Sequence, residues 1–132
     1  MKNVVIVDDS KTIQRVIEQQ LSKHFSVIGK GSSGIEGFEL YKKLKPDFIL
    51  LDIIMPNCSG KECLKLIIEF DPKAIVIMVS SIGDDTTIKE CLALGAKSFI
   101  KKDNFSKTSD SEQPFLEAVL RILNEVKTSG AA

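Results

Sequence analysis

The sequence lacks any excess of charge: 18 Lys and Arg balance 18 Asp and Glu over 132 residues. No run of Lys or Arg exceeds two residues, so the basic surface needed to coat nucleic acid is missing. Histidine occurs once, as His24, and the three cysteines, Cys58, Cys63 and Cys91, are odd in number and lack zinc-ligand spacing. The thiols therefore read as buried cysteines of a reducing cytosol rather than a disulfide framework. Long apolar runs are missing as well. The N-terminal MKNVVIVDDS holds four consecutive apolar residues before two acids, too few for a signal peptide or a membrane span. The expectation is a cytoplasmic protein with no membrane insertion and no nucleic-acid partner.

What the chain does have is a core. At 43% hydrophobic residues it can fold as one domain without disulfides and is not disordered. Strand-length apolar runs (Val4–Val7, Ser26–Ile28, Phe48–Leu51, Ala74–Val79, Ser98–Ile100) alternate with stretches of helical periodicity. Most of the strands are continuously apolar, as in a parallel sheet covered on both faces. Ile13, Val16, Ile17 and Leu21 mark the first helix, Ile35 to Leu44 a second interrupted by Gly37, and Leu64, Ile67 and Ile68 a third. Ile88, Cys91 and Leu92 mark a fourth, and Phe115, Val119, Ile122, Leu123 and Val126 the last.

Ser10 and Ser33 are candidate N-caps, Lys45-Pro46-Asp47 a helix stop, and Gly95 a C-cap. This (βα)5 order predicts an α/β fold, a three-layer doubly wound five-stranded parallel sheet, because each parallel crossover needs a right-handed helical connection. Residues 1–127 read as the domain, and 128–132 as a disordered or appended tail.

In open α/β sheets ligands bind outside the carboxyl ends of the strands. The predicted strands end in Asp8-Asp9, Asp52, Ser80-Ser81 and Lys101-Lys102. Three carboxylates converging at one edge repel one another unless a cation sits among them. Mg²⁺, a hard cation held by few carboxylates and several waters, suits such a site. With a lysine beside it, a carboxylate there can act as a nucleophile for phosphoryl transfer.

VVIVDDS, LLDIIMPNCSG, IMVSS and GAKSFIKK, in this order and spacing, resemble the response-regulator receiver domain of two-component signalling, over residues 3 to 127. The stand-alone, CheY-like chemotaxis type is the most similar. The resemblance implies the flavodoxin-like strand order 2-1-3-4-5. It also implies Asp52 as phosphoacceptor, with Mg²⁺ (or Mn²⁺ in its place) held by Asp8, Asp9, Asp52 and the backbone carbonyl of Ile54. Ser80 is implied as the switch hydroxyl, Lys102 as the lysine that meets the phosphoryl oxygens, and Phe99 as the switch aromatic. The implied protein is a phosphoacceptor rather than an enzyme with a separate substrate. Its implied partners are a sensor histidine kinase and a downstream protein such as a flagellar motor switch protein. A phosphorelay intermediate or a kinase-inhibiting regulator is the second role. A monomer is expected, with dimerisation on phosphorylation left open.

The sequence departs from the family pattern at Asp103, where proline usually follows the lysine, often in cis, and in a longer Asn104 to Gln113 connection. A non-proline cis bond is costly. By the same resemblance Ile54 and Ile82, bulky and apolar, are expected to flank the approach of water to the acceptor, which predicts a long-lived phosphoryl group.

Rival readings leave traces too. Gly29-Lys-Gly31-Ser-Ser-Gly34 spells a dinucleotide fingerprint, but on the second strand and without a second mononucleotide half. It reads instead as a turn and a helix entry. A haloacid-dehalogenase-like phosphatase would need D-x-D where this chain has Asp8, Asp9 and Ser10. A receiver-like interaction module without phosphorylation is the remaining alternative. His24 suits the C-terminal end of the first helix, away from the strand ends.

Overall fold

The computed structural model describes residues 1–55, 58–80, 85–101 and 114–130. Five strands, β1 (Lys2–Val7), β2 (Phe25–Gly31), β3 (Phe48–Leu51), β4 (Val76–Ser80) and β5 (Ser98–Lys101), alternate with five helices. These are α1 (Lys11–Leu21), α2 (Gly34–Leu44), α3 (Gly60–Phe70), α4 (Asp85–Leu94) and α5 (Pro114–Gly130). The strands form one parallel sheet in the order β2-β1-β3-β4-β5, the doubly wound topology expected from the sequence.

Period-two alternation sorts each strand's side chains into two cores. Val4 and Ile6 of β1 join Phe48, Leu50, Ile77 and Val79 under α1 and α5, with Phe115 and Val119. Val5 and Val7 join Ile49, Leu51, Val76 and Met78 under α2, α3 and α4, with Tyr41, Cys63, Leu64 and Cys91. Helices on both faces explain why β3 and β4 are buried along their whole length.

The caps follow the chemistry of their side chains. Ser10, Ser33 and Ser59 accept from the backbone N–H groups of Ile13, Glu36 and Glu62, satisfying donors that the first helical turn leaves open. Lys45 ends α2 in the left-handed region at φ 45°, and Gly95, at φ 122°, follows α4.

The elements β2, α2 and α5 differ from the sequence reading. Strand β2 continues past Ile28 to Gly31, with Ile28 bulged where the register with β1 shifts between Val4 and Val5. A Cβ on Gly29 would meet Leu44 at 3.0 Å and one on Gly31 would meet Leu40 at 3.3 Å, so these two glycines let α2 press onto the strand rather than make a turn. Gly37 does not interrupt α2. It is buried, and a Cβ there would lie 2.9 Å from Val7, so it admits close helix-to-strand approach. Helix α5 runs to Gly130 and takes in three residues of the segment read as a tail.

Candidate functional site

The carboxyl ends of β1, β3 and β4 bring Asp8, Asp52 and Ser80 to one edge of the sheet, where their relative exposures are 2%, 4% and 1%. Asp9 is exposed beside them. One carboxylate oxygen from each of Asp8, Asp9 and Asp52 falls within 4.8 Å of the others. Two buried acids and a surface acid so close together form an all-oxygen donor set, the chemistry that suits a hard divalent cation. The acidic cluster expected from the sequence is therefore assembled by the fold and could hold a metal ion.

The two buried acids are held by backbone. The Asp8 N–H donates to the carbonyl of Gly31 at 3.0 Å, and its Oδ1 accepts from the Ser10 N–H at 2.9 Å. The Asp52 N–H donates to the Val7 carbonyl at 2.9 Å, which ties the end of β3 to the end of β1. Asp52 Oδ1 accepts from the Ile53 N–H at 2.8 Å, fixing the rotation of the carboxylate.

The loop after Asp52 is closed by helix α3. The Gly60 N–H donates to the Ile53 carbonyl at 2.7 Å, and the Gly34 N–H donates to the Cys58 carbonyl at 3.2 Å. A Cβ on Gly34 would lie 2.4 Å from that same carbonyl oxygen. The third glycine of the apparent dinucleotide fingerprint thus serves the contact between the start of α2 and the acceptor loop.

Ser80 and Phe99 stand on adjacent strands and on the same face of the sheet. Met78 pairs with Phe99 and Ser80 with Lys101, so Phe99 is one diagonal step from Ser80. Phe99 is partly buried and packs against the core under α2, α3 and α4. It also lines a groove of about 480 Å³ between β5 and α5, together with Lys101, Ala118 and Arg121. Lys101 is exposed. Ile54 is 56% exposed, two residues beyond Asp52. Lys102, Ile82, Asp103 and the 104–113 connection lie outside the described residues.

Gln14 was not legible as a site residue. It is buried on α1, and its Nε2 donates to the Asp8 carbonyl at 2.6 Å and the Gly31 carbonyl at 3.0 Å. The available signal was its spacing: Gln14 shares the buried stripe of Ile17 and Leu21, where a polar side chain requires a partner.

The remaining candidates stay away from the strand ends or are chemically quiet. His24 is exposed just after α1. Cys58, Cys63 and Cys91 are buried free thiols. Burial, and next the neighbouring Cys58, pushes the Cys63 thiol up to about 12. Burial also raises Cys58, with the charge of Glu62 adding to it, and raises Cys91. Such thiols are poor nucleophiles and poor metal ligands.

With this fold and this acidic edge, the chain belongs to the response regulator receiver domain family, which matches residues 4–109. It is 38% identical over 124 residues to protein CcdB of Bacillus subtilis, covering 93% of this chain and 98% of that relative. It is 36% identical over 108 residues to the chemotaxis protein CheY of Halobacterium salinarum, covering 82% of this chain and 89% of CheY. Among solved structures, it resembles a chain of the CheX-CheY-BeF3-Mg²⁺ complex from Borrelia burgdorferi. There the TM-score is 0.77 and the identity 36%, covering 95% of this chain and 88% of that one.

Proposed function

We propose that this protein is a cytoplasmic response regulator of chemotaxis or motility signalling, phosphorylated on Asp52 by a sensor histidine kinase. The observation that carries the reading is the clustering of the Asp8, Asp9 and Asp52 carboxylates within 4.8 Å at the ends of β1 and β3. The residues fit Mg²⁺, with Asp8, Asp9, Asp52 and the Ile54 carbonyl as its protein ligands and Mn²⁺ as a substitute. When bound, the ion supplies positive charge against the phosphoryl oxygens.

The chain's own residues do the rest. Asp52, oriented by the Ile53 N–H, attacks phosphorus with a carboxylate oxygen. The P–N bond of the phosphohistidine breaks, its electron pair leaves with the imidazole, and an acyl phosphate forms. Lys102 and the Ser80 hydroxyl bind the phosphoryl oxygens. The activity is limited to this self-phosphorylation and the later hydrolysis, in which water attacks phosphorus and inorganic phosphate leaves.

Ser80 moving toward the phosphoryl group vacates space beside its diagonal neighbour Phe99, which turns inward and reshapes the groove that it lines with Arg121. A local charge change thus selects between two packings. The face of α4, β5 and α5 then changes its affinity for a protein partner, a flagellar motor switch protein being the first candidate. The resting protein is a monomer.

Beryllium fluoride added with Mg²⁺, as a mimic of the acyl phosphate, tests this reading. Amide resonances of Ser80 and of Ser98 to Lys101 are expected to shift in the wild type and to stay in place in Asp52→Asn. Identical spectra with and without the mimic in the wild type would contradict it.

A further inference from the structure

Gln14 makes hydrogen bonds that a helix has no need of. Its side-chain amide leaves α1, reaches the carbonyls that end β1 and β2, and approaches Ser32 Oγ at 3.4 Å. An amide nitrogen has two protons, and the two short contacts, to Asp8 and Gly31, use both. Gly31's carbonyl also accepts from the Asp8 N–H. Asp8 is thereby gripped at its N–H, at its carbonyl and, through Ser10, at its carboxylate.

We infer that Gln14 is a positioning residue for the acidic pair, setting the direction of Asp9 by fixing the peptide plane between Asp8 and Asp9. The Asp8 carbonyl and the Asp9 N–H belong to one planar unit. Holding the oxygen at 2.6 Å therefore fixes where the Asp9 Cα, and with it an exposed carboxylate, stands. Asp8 is locked by its own burial and backbone contacts, but Asp9 is a surface side chain with no such enclosure. A cation shared by the two needs both aimed at one point, and hydrogen bonds behind the ligands commonly govern such affinity.

The inference rests on the reading of the acidic cluster as a Mg²⁺ site. Its test is the Mg²⁺ dissociation constant of the unphosphorylated protein, by calorimetry, for the wild type, Gln14→Met and Ser32→Ala. Methionine keeps the length and burial but donates nothing. Gln14→Met is expected to bind Mg²⁺ about tenfold more weakly, whereas Ser32→Ala, which removes only the longest contact, keeps the wild-type constant. A Gln14→Met protein that melts earlier yet binds Mg²⁺ as the wild type does would reduce Gln14 to a purely structural tie and overturn the inference alone. A wild type that binds no Mg²⁺ would overturn the metal reading and the inference together.

Should Gln14→Met fail to fold, the wild type suffices. The Gln14 carboxamide protons are expected to exchange slowly with water and to shift during a Mg²⁺ titration with the same midpoint as the Asp9 amide. Carboxamide resonances indifferent to Mg²⁺ while the Asp9 amide titrates would contradict it.

Discussion

A Cβ placed on Gly60 would stand 1.8 Å from the carbonyl oxygen of Asp52. No real side chain tolerates that distance, so the start of α3 touches the backbone of the acidic residue on the neighbouring loop. The hydrogen bond from the Gly60 N–H to the Ile53 carbonyl brings the two segments together, and the missing side chain lets them meet. Gly60→Ala is expected to cost about 1–3 kcal/mol through overpacking, read from urea melts. It should also slow modification of Asp52, because the shift falls on the acceptor's own peptide. A Gly60→Ala protein with wild-type stability and wild-type phosphorylation would contradict this packing.

Ser80 and Phe99 give the second prediction. Ser80→Ala removes the hydroxyl but keeps the strand, so Asp52 should still accept a phosphoryl group while the response of the β5–α5 groove weakens. Amide shifts of Phe99 and Arg121 on phosphorylation are the measure. Shifts of full wild-type size in phosphorylated Ser80→Ala would count against the switch.

Ile54 supports a prediction about lifetime. Its side chain is bulky, apolar and 56% exposed, two residues past Asp52, and is expected to hinder water near the acceptor. Ile54→Asn should shorten the life of the phosphorylated protein several-fold by admitting water. Intact mass followed over time decides it, and a longer life in Ile54→Asn would reverse the argument.

Tyr41 controls behaviour in base. Its hydroxyl donates to Asp71 Oδ2 at 2.8 Å, joining α2 to the residue that follows α3. Burial, then this hydrogen bond, then the Asp71 charge hold the phenol well above its ordinary range. The folded state thus binds the phenolic proton more tightly than the unfolded chain. The resulting stabilisation is complete below the ordinary tyrosine range near about pH 10 and declines as pH rises from there toward the folded value. Tyr41→Phe should cost about 1–2 kcal/mol at pH 7 and flatten the fall in stability above about pH 10. An unchanged alkaline slope in chemical melts would show that Tyr41 is not its source.

The alternation of strands and helices and both cores were legible because periodicity is a direct record of burial: each strand run feeds two faces, and each helix shows one; the strand order came from the family resemblance alone. The acidic edge followed from asking which residues end the strands. Glycines were read less well. Gly29, Gly31 and Gly37 look like turns or breaks in a one-dimensional pattern, but they are places where α2 must approach β1 and β2 closely, which only packing reveals. Gln14 escaped for a related reason. The apolar stripe of α1 was centred on Ile13, Val16, Ile17 and Leu21, whereas the structure buries Gln14, Ile17 and Leu21 and leaves Ile13 and Val16 partly exposed. A buried amide is tolerated there only because the ends of two adjacent strands supply carbonyls, one from Asp8 and one from Gly31, and the sequence does not show that these ends meet beside α1.

The central claim is that Asp52 accepts a phosphoryl group with the help of a divalent cation. The direct measurement is intact-protein mass after incubation with acetyl phosphate, with Mg²⁺ and with EDTA, for the wild type and Asp52→Asn. One added phosphoryl group in the wild type with Mg²⁺, and none in the other three samples, is the predicted result. A folded wild type that gains nothing with Mg²⁺, or an Asp52→Asn protein modified equally well, would contradict the account.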